Sequence, residues 1–199
     1  MPDISIADFT DFVLRSGLPK VTKVAEIFRR GAYVPSHDFW KPLRDHICEF
    51  HEGVYSHISF GSTGAHEKKR VRYQEAIEGY KYYLKANAPA WFKPHHAEWK
   101  LEDLAVRINP EVGFVVGGKP LLVKLYFKRE PLTKHRVQVA LSLMSAGQKS
   151  KKHRVAMLDV VRSKLYIEPA QNPQMDALLK GEAATFLGIW NSLSQQRSV

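Results

Sequence analysis

The sequence has little cysteine, few acidic side chains and no long apolar run. Its single cysteine, Cys48, rules out an internal disulfide and fits a reducing cytoplasm. No stretch of about 18 uncharged apolar residues occurs, so we expect no membrane span. The opening residues MPDISIADFTDFV lack the basic and apolar regions of a secretory signal. These absences predict a cytoplasmic protein that makes no membrane contact.

Common catalytic and cofactor motifs are also missing. The chain has no CxxC or HExxH pattern for zinc, no GxSxG turn for a serine nucleophile, and no lysine-containing phosphate loop. The sequence therefore gives no support for a zinc enzyme, a serine hydrolase or a nucleotide-binding P-loop protein.

Positive charge is what the sequence has in excess. Lysine and arginine number 30 against 20 aspartate and glutamate residues, which gives a formal charge of +10. Nucleic acid is the commonest polyanion that such a surface meets. Two clusters are predicted to contact it: Lys68, Lys69, Arg70 and Arg72, and Lys149, Lys151, Lys152 and Arg154. Aromatic residues that could either stack on bases or pack in the core are Tyr82, Tyr83, Trp91, Phe92 and Trp99.

The chain length and its apolar content of 44% predict one compact domain. Residues 1–64 are interpreted as a helical region packed on a core formed by residues 65–199. Ser36 or Asp38 is expected to cap a helix with the apolar stripe Phe39, Trp40, Leu43, Ile47 and Phe50. A long helix is predicted from about residue 65 to 86, and a last one from about 173 to 193.

The stretch from Ala105 to Lys128 predicts two strands joined by a turn at Gly117-Gly118, with a bend at Asn109-Pro110 that would divide the first strand. Counting back from the turn places Glu111 opposite Lys124. A helix capped by Thr133 follows, and then an apolar strand over residues 155–161. The resulting order is α-β-β-β-α-β with a C-terminal helix.

This order resembles the core of the PD-(D/E)xK, or restriction-endonuclease-like, phosphodiesterase superfamily. The resemblance covers about residues 65–170 and implies a Mg²⁺-dependent nuclease fold. Family members hold the metal with an acid that follows a proline and with an acid-x-lysine triplet on the next strand. The lysine orients or activates the attacking water.

Carried onto this chain, the resemblance makes Glu111, after Pro110, the metal ligand and Lys124 the catalytic lysine. The second acid is missing, because Leu122 occupies its place and has no ligand atom. Accessory roles are expected for Glu75 or Glu78 as relocated acids and for Gln138 as a helix glutamine. The chain is identified as a degenerate member, and an ordinary cross-strand ion pair of Glu111 with Lys124 stays open as the alternative.

Three functions remain open from the sequence. The first is a nucleic-acid-binding protein with a nuclease-like fold whose catalysis is lost or altered. The second is an active nuclease that uses Mg²⁺ as its cofactor. The third is a protein-interaction module, with a homodimer or another protein as its partner.

Overall fold

Two β-sheets with helices packed around them form a mixed α/β fold. The computed structural model describes residues 1–30, 38–59, 67–150, 152–168 and 173–196. The helices are α1 (Ile6–Val13), α2 (Leu18–Arg30), α3 (Lys41–His51), α4 (Glu67–Asn87), α5 (Lys134–Ala146) and α6 (Pro173–Gln196). The strands are β1 (Asp3–Ser5), β2 (Ala90–Phe92), β3 (Ala97–Leu101), β4 (Leu104–Ile108), β5 (Val112–Val116), β6 (Lys119–Tyr126), β7 (Arg154–Asp159) and β8 (Lys164–Ile167).

The larger sheet has the strand order β2-β5-β6-β7-β8. Its neighbours are antiparallel except for β6 and β7, which run parallel. A parallel pair needs a crossover connection, and α5 provides it. The predicted turn between β5 and β6 is confirmed: Val116 pairs with Lys119, and Gly117 and Gly118 have φ values of 55° and 74°. Glycine adopts this left-handed conformation without the steric cost that a Cβ atom would add.

The smaller sheet, ordered β1-β4-β3, was not predicted. The predicted division of the strand that begins at Ala105 is confirmed, but its two parts lie in different sheets, because β4 pairs with β1 and β3 whereas β5 pairs with β2 and β6. Asn109, Pro110 and Glu111 connect them. Proline cannot donate to a strand ladder, which accounts for the division at this point. The N-terminal region also contributes β1 and is therefore not purely helical.

Two apolar cores lie on opposite faces of the larger sheet. Alternate residues of β6 separate between them: Leu121, Val123 and Leu125 join one core, while Leu122 and Tyr126 join the other. The first core is closed by α3 and α4. The second is closed by α1, α5, α6 and the smaller sheet. This alternation follows from the period of two in a strand.

Several predicted helix features are confirmed. The long helix predicted from about residue 65 to 86 is α4, and its Tyr73, Ala76, Ile77 and Tyr80 are each at most 2% exposed. Thr133 caps α5 by accepting a hydrogen bond from the Arg136 amide at 3.2 Å. The expectation that Asp38 caps α3 is corrected: Trp40 occupies the cap position without a side-chain cap, and the Asp38 carboxylate, just before the helix, accepts from the backbone amides of Trp40 and Lys41. The alternative cap, Ser36, lies outside the described residues. Along the part of the chain that is described, no helix has the length and apolarity to cross a bilayer.

Candidate functional site

Glu111 and Lys124 form an ion pair at the point where β5 begins beside β6. Pairing between these strands starts at Val112 with Val123, so the next part of β6 lacks a β5 partner. Glu111 fills this place with its side chain, and its Oε2 accepts a hydrogen bond from the Leu125 amide at 2.8 Å. Lys124 Nζ also donates to the Asn109 carbonyl at 3.0 Å. The carboxylate is 8% exposed and the lysine side chain 20%, so the pair is accessible mainly through Lys124.

A second cation, Arg44, reaches the pair from α3. Its Nε lies 3.9 Å from Glu111 Oε1, and its guanidinium is anchored by Asp38 Oδ2 at 2.7 Å. Arg44 and Asp38 were not predicted as site residues. They carry no motif signal, because they lie 67 and 73 positions before Glu111 and approach it only through the packing of α3 on the sheet.

Cys48, one turn beyond Arg44 on α3, supports the backbone of the site. Its thiol donates to the Glu111 carbonyl oxygen at 3.3 Å. Burial, with smaller contributions from the charges of Glu111, Asp45 and Glu52, raises the pKa of this thiol to about 11. The thiol is therefore protonated near neutral pH and acts as a hydrogen-bond donor rather than as a nucleophile.

The residues present do not fit a Mg²⁺ site with two carboxylates. Mg²⁺ requires several oxygen ligands, and the side chain of Leu122 is 2% exposed within the second core. Glu111 is already contacted by Lys124, Arg44 and the Leu125 amide. Within the described ranges, no group of three histidine, cysteine, aspartate or glutamate side chains is placed to hold a metal ion.

The predicted accessory residues lie in separate places. Glu75 accepts a hydrogen bond from Arg129, beyond the end of β6, at 2.6 Å and lies 3.9 Å from Arg72 on α4, so two arginines balance its charge. Glu78 accepts from Gln74 of the same helix at 2.6 Å. Gln138 is half-buried on α5. None of the contacts described for Glu75 and Glu78 involves Glu111 or Lys124, and their accessory roles stay predictions.

The two predicted basic clusters lie at opposite ends of β6. Lys68, Lys69, Arg70 and Arg72 belong to the first turns of α4, whose Tyr73 stacks on Trp40, and Trp40 stacks on Phe127 just beyond the end of β6. Arg154 instead pairs with Leu121 near the start of β6. Six residues of strand separate Leu121 from Phe127, or about 20 Å. Lys149 and Lys152 are exposed beside Arg154, and Lys151 lies outside the described residues.

The two clusters are therefore separated by most of the length of β6. The α4 cluster lies near the end of β6 that follows Lys124 in the chain, and the other cluster lies near the start of β6. The aromatic candidates divide as well: Tyr83 and Trp99 are 2% and 7% exposed and pack in the cores, whereas Tyr82 is 67% exposed.

Comparisons with known proteins found no match for this chain. No family model matches the chain, and neither a curated protein nor a solved structure matches it. The functional argument therefore depends on the residues themselves.

Proposed function

We propose that this protein binds nucleic acid through a nuclease-like core whose catalysis is lost or altered. The observation that carries the proposal is the neutralised acid at the edge of β6, where Lys124 and Arg44 both contact the single carboxylate of Glu111. A carboxylate held by two cations is poorly suited to bind a metal. With Asp38 on Arg44 the cluster is formally neutral, so the attraction for a phosphate comes from the accessible side of Lys124 together with the basic first turns of α4.

The order of elements supports the nuclease-like part of the proposal. Helix α4 precedes the antiparallel strands β2, β5 and β6, and α5 then crosses over to β7, which runs parallel to β6. This succession is compatible with the α-β-β-β-α-β order that the family resemblance implies, with β2 in the place that the sequence assigned to the strand at Ala105. The hairpin of β3 and β4 is inserted between the first two of these strands and extends into the smaller sheet.

Binding without cleavage is favoured by the chemistry of the donor set. Phosphodiester hydrolysis by this family needs metal ions to activate water and to stabilise negative charge on the phosphate. Here one of the two expected acids is replaced by the buried Leu122, and the other is paired with protein cations. The cations can still attract a phosphate backbone, because that attraction needs only accessible positive charge.

The test is a titration of labelled DNA and RNA of about 20 nucleotides at several salt concentrations, with Mg²⁺ or with a chelator. We expect binding in both conditions, no cleavage, and affinity that falls steeply with salt. Lys124→Met is expected to weaken binding about three- to tenfold at low salt and to lower the salt slope by about 1.

A matched control is Lys85→Met, which removes the same charge from an exposed position in the last turn of α4. An equal loss in both variants would mean that net charge, and not this site, governs binding. Cleavage that needs Mg²⁺ and disappears in Lys124→Met and Glu111→Ala would replace the proposal with an active nuclease. Absence of all nucleic-acid binding would overturn it.

A further inference from the structure

An exposed aromatic ring is held rigidly near the proposed phosphate site. Phe39 is 41% exposed, although it was expected in the apolar stripe of α3. Its ring packs edge-to-face on Trp40, with centroids 4.8 Å apart, and on Tyr73, with centroids 5.6 Å apart. The Tyr73 hydroxyl also donates to the Phe39 carbonyl oxygen. These contacts orient the ring before any partner arrives, which lowers the entropic cost of binding to it.

The ring is connected to the core through a continuous aromatic stack. Trp40 lies between Tyr73 and Phe127, at centroid distances of 5.5 and 5.2 Å and interplanar angles of 24° and 18°. Tyr73 and Phe127 are themselves 2% and 4% exposed. The stack therefore fixes the position of Phe39 relative to the end of β6.

A lysine gives this ring a charge that suits a nucleotide. Lys69 Nζ lies 5.6 Å from the Phe39 ring centroid and 5.4 Å from that of Tyr73. The ammonium therefore lies beside both rings. An exposed ring next to an ammonium matches a base and its phosphate.

We infer that Phe39 and Lys69 form a stacking platform for a base of a single-stranded nucleic acid. This inference rests on the proposed function and adds that the nucleic acid bound is single-stranded. Bases in a duplex are stacked on each other and cannot offer their faces to a side chain, whereas bases in a single strand can. A fixed exposed ring therefore favours single strands over duplexes.

The platform and the phosphate site are close enough for one strand to contact both. Lys124 and Phe127 lie about 10 Å apart along the strand but extend from opposite faces of β6, so the route from the platform to the phosphate site passes through Arg44, which contacts Glu111. Arg44 follows Trp40 by about one turn of α3. A single strand whose base stacks on Phe39 would thus run toward Arg44 and Lys124.

The experiment compares an oligothymidine single strand, its oligouridine counterpart and a blunt DNA duplex, each of about 20 residues, by fluorescence anisotropy. We expect both single strands to bind more tightly than the duplex. Phe39→Leu, which keeps an apolar side chain but removes the ring, should lower single-strand affinity about tenfold and leave duplex affinity unchanged. Phe39→Tyr keeps the ring and should bind as the parent does.

Tyr82→Leu is the matched control, because Tyr82 is an exposed aromatic on the same helix as Lys69 but outside the stack. Thermal unfolding of each variant checks that the fold is retained. Equal single-strand and duplex affinities that Phe39→Leu leaves unchanged would overturn the platform, and a loss in Lys124→Met would then still support the proposed function. Absence of binding to every probe would overturn both.

Discussion

Asp8 and Glu111 are each contacted by a lysine and an arginine, and they differ in where those cations come from. Asp8, in the first turn of α1, pairs with Lys23 at 2.9 Å and with Arg30 at 3.0 Å. Both partners lie on the neighbouring helix α2, within 22 residues. Glu111 receives its cations from β6 and from α3, which lie on either side of it in the sequence.

The difference shows that an acid paired with cations is not by itself a site. Asp8 is stabilised by its own helix, where Ser5 donates a hydrogen bond to it at 2.8 Å and the positive end of the helix dipole lies close by. Its pairing connects two adjacent helices and has an evident structural role. Glu111 instead occupies the place of a missing strand partner on β6, next to an accessible lysine and an aromatic stack. Position within the fold distinguishes the two clusters, since their chemistry is nearly the same.

The largest expected effect is a fall in the free energy of unfolding when the Asp8 carboxylate is removed. Asp8→Ala leaves the Lys23 side chain, which is only 8% exposed, without its carboxylate. Removing one partner of a buried pair is costly, so we expect the free energy of unfolding to fall by about 3 kcal/mol with no change in nucleic-acid affinity. Urea unfolding measures the first quantity and anisotropy the second.

The control for this variant is Asp176→Ala on α6, where Asp176 and Lys180 are 53% and 58% exposed. An exposed pair contributes at most about 0.5 kcal/mol. Similar losses in the two variants would mean that burial does not strengthen the Asp8 cluster.

Acid titration gives the next largest effect. Burial alone would raise the pKa of Asp8, but hydrogen bonds from Arg30 and Lys23 and the charge of Lys23 outweigh it and lower the pKa to about 2. The folded pKa lies below the ordinary value of 3.8, so this contribution is complete above about pH 4 and is lost as the pH falls toward 2. It amounts to about 2 kcal/mol.

The measurement is the free energy of unfolding between pH 7 and pH 2, compared with that of Asp8→Asn. Burial lowers the pKa of His51 from 6.5 to about 4, so its contribution to stability is lost as the pH falls from about 6.5 toward 4. This loss should be equal in both proteins. The two curves should therefore run parallel above about pH 4 and converge below it. Curves that stay parallel throughout would show that Asp8 is not the titrating group.

The smallest expected effect is a change in nucleic-acid affinity when the charge of Glu111 is removed. Glu111→Gln keeps an oxygen that can accept from the Leu125 amide but removes the negative charge beside Lys124 and Arg44. If the site binds phosphate without a metal, affinity for nucleic acid should rise a few-fold, because one repulsive charge is gone. Anisotropy at low salt measures the change. A fall in affinity would indicate that the carboxylate itself contributes to binding.

Much of the fold could be predicted from local patterns. The period of α4, the cap at Thr133 and the glycine turn between β5 and β6 each depend on neighbouring residues, and each is confirmed. The smaller sheet could not be predicted, because β1 pairs with β4 about 100 residues later and neither strand reveals its partner. The pairing of Glu111 with Lys124 was predictable because turn geometry sets the register of a hairpin.

The sequence by itself therefore determined the helices, the central hairpin, the adjacent acid and lysine, and the absence of a second acid at Leu122. Only the tertiary structure decided that Arg44 reaches Glu111, that the two basic clusters lie at opposite ends of β6, and that Phe39 is exposed on an aromatic stack. The physical reason is range: propensity, capping and turn register act over a few residues, whereas contacts of α3 with the sheet depend on how complete cores pack.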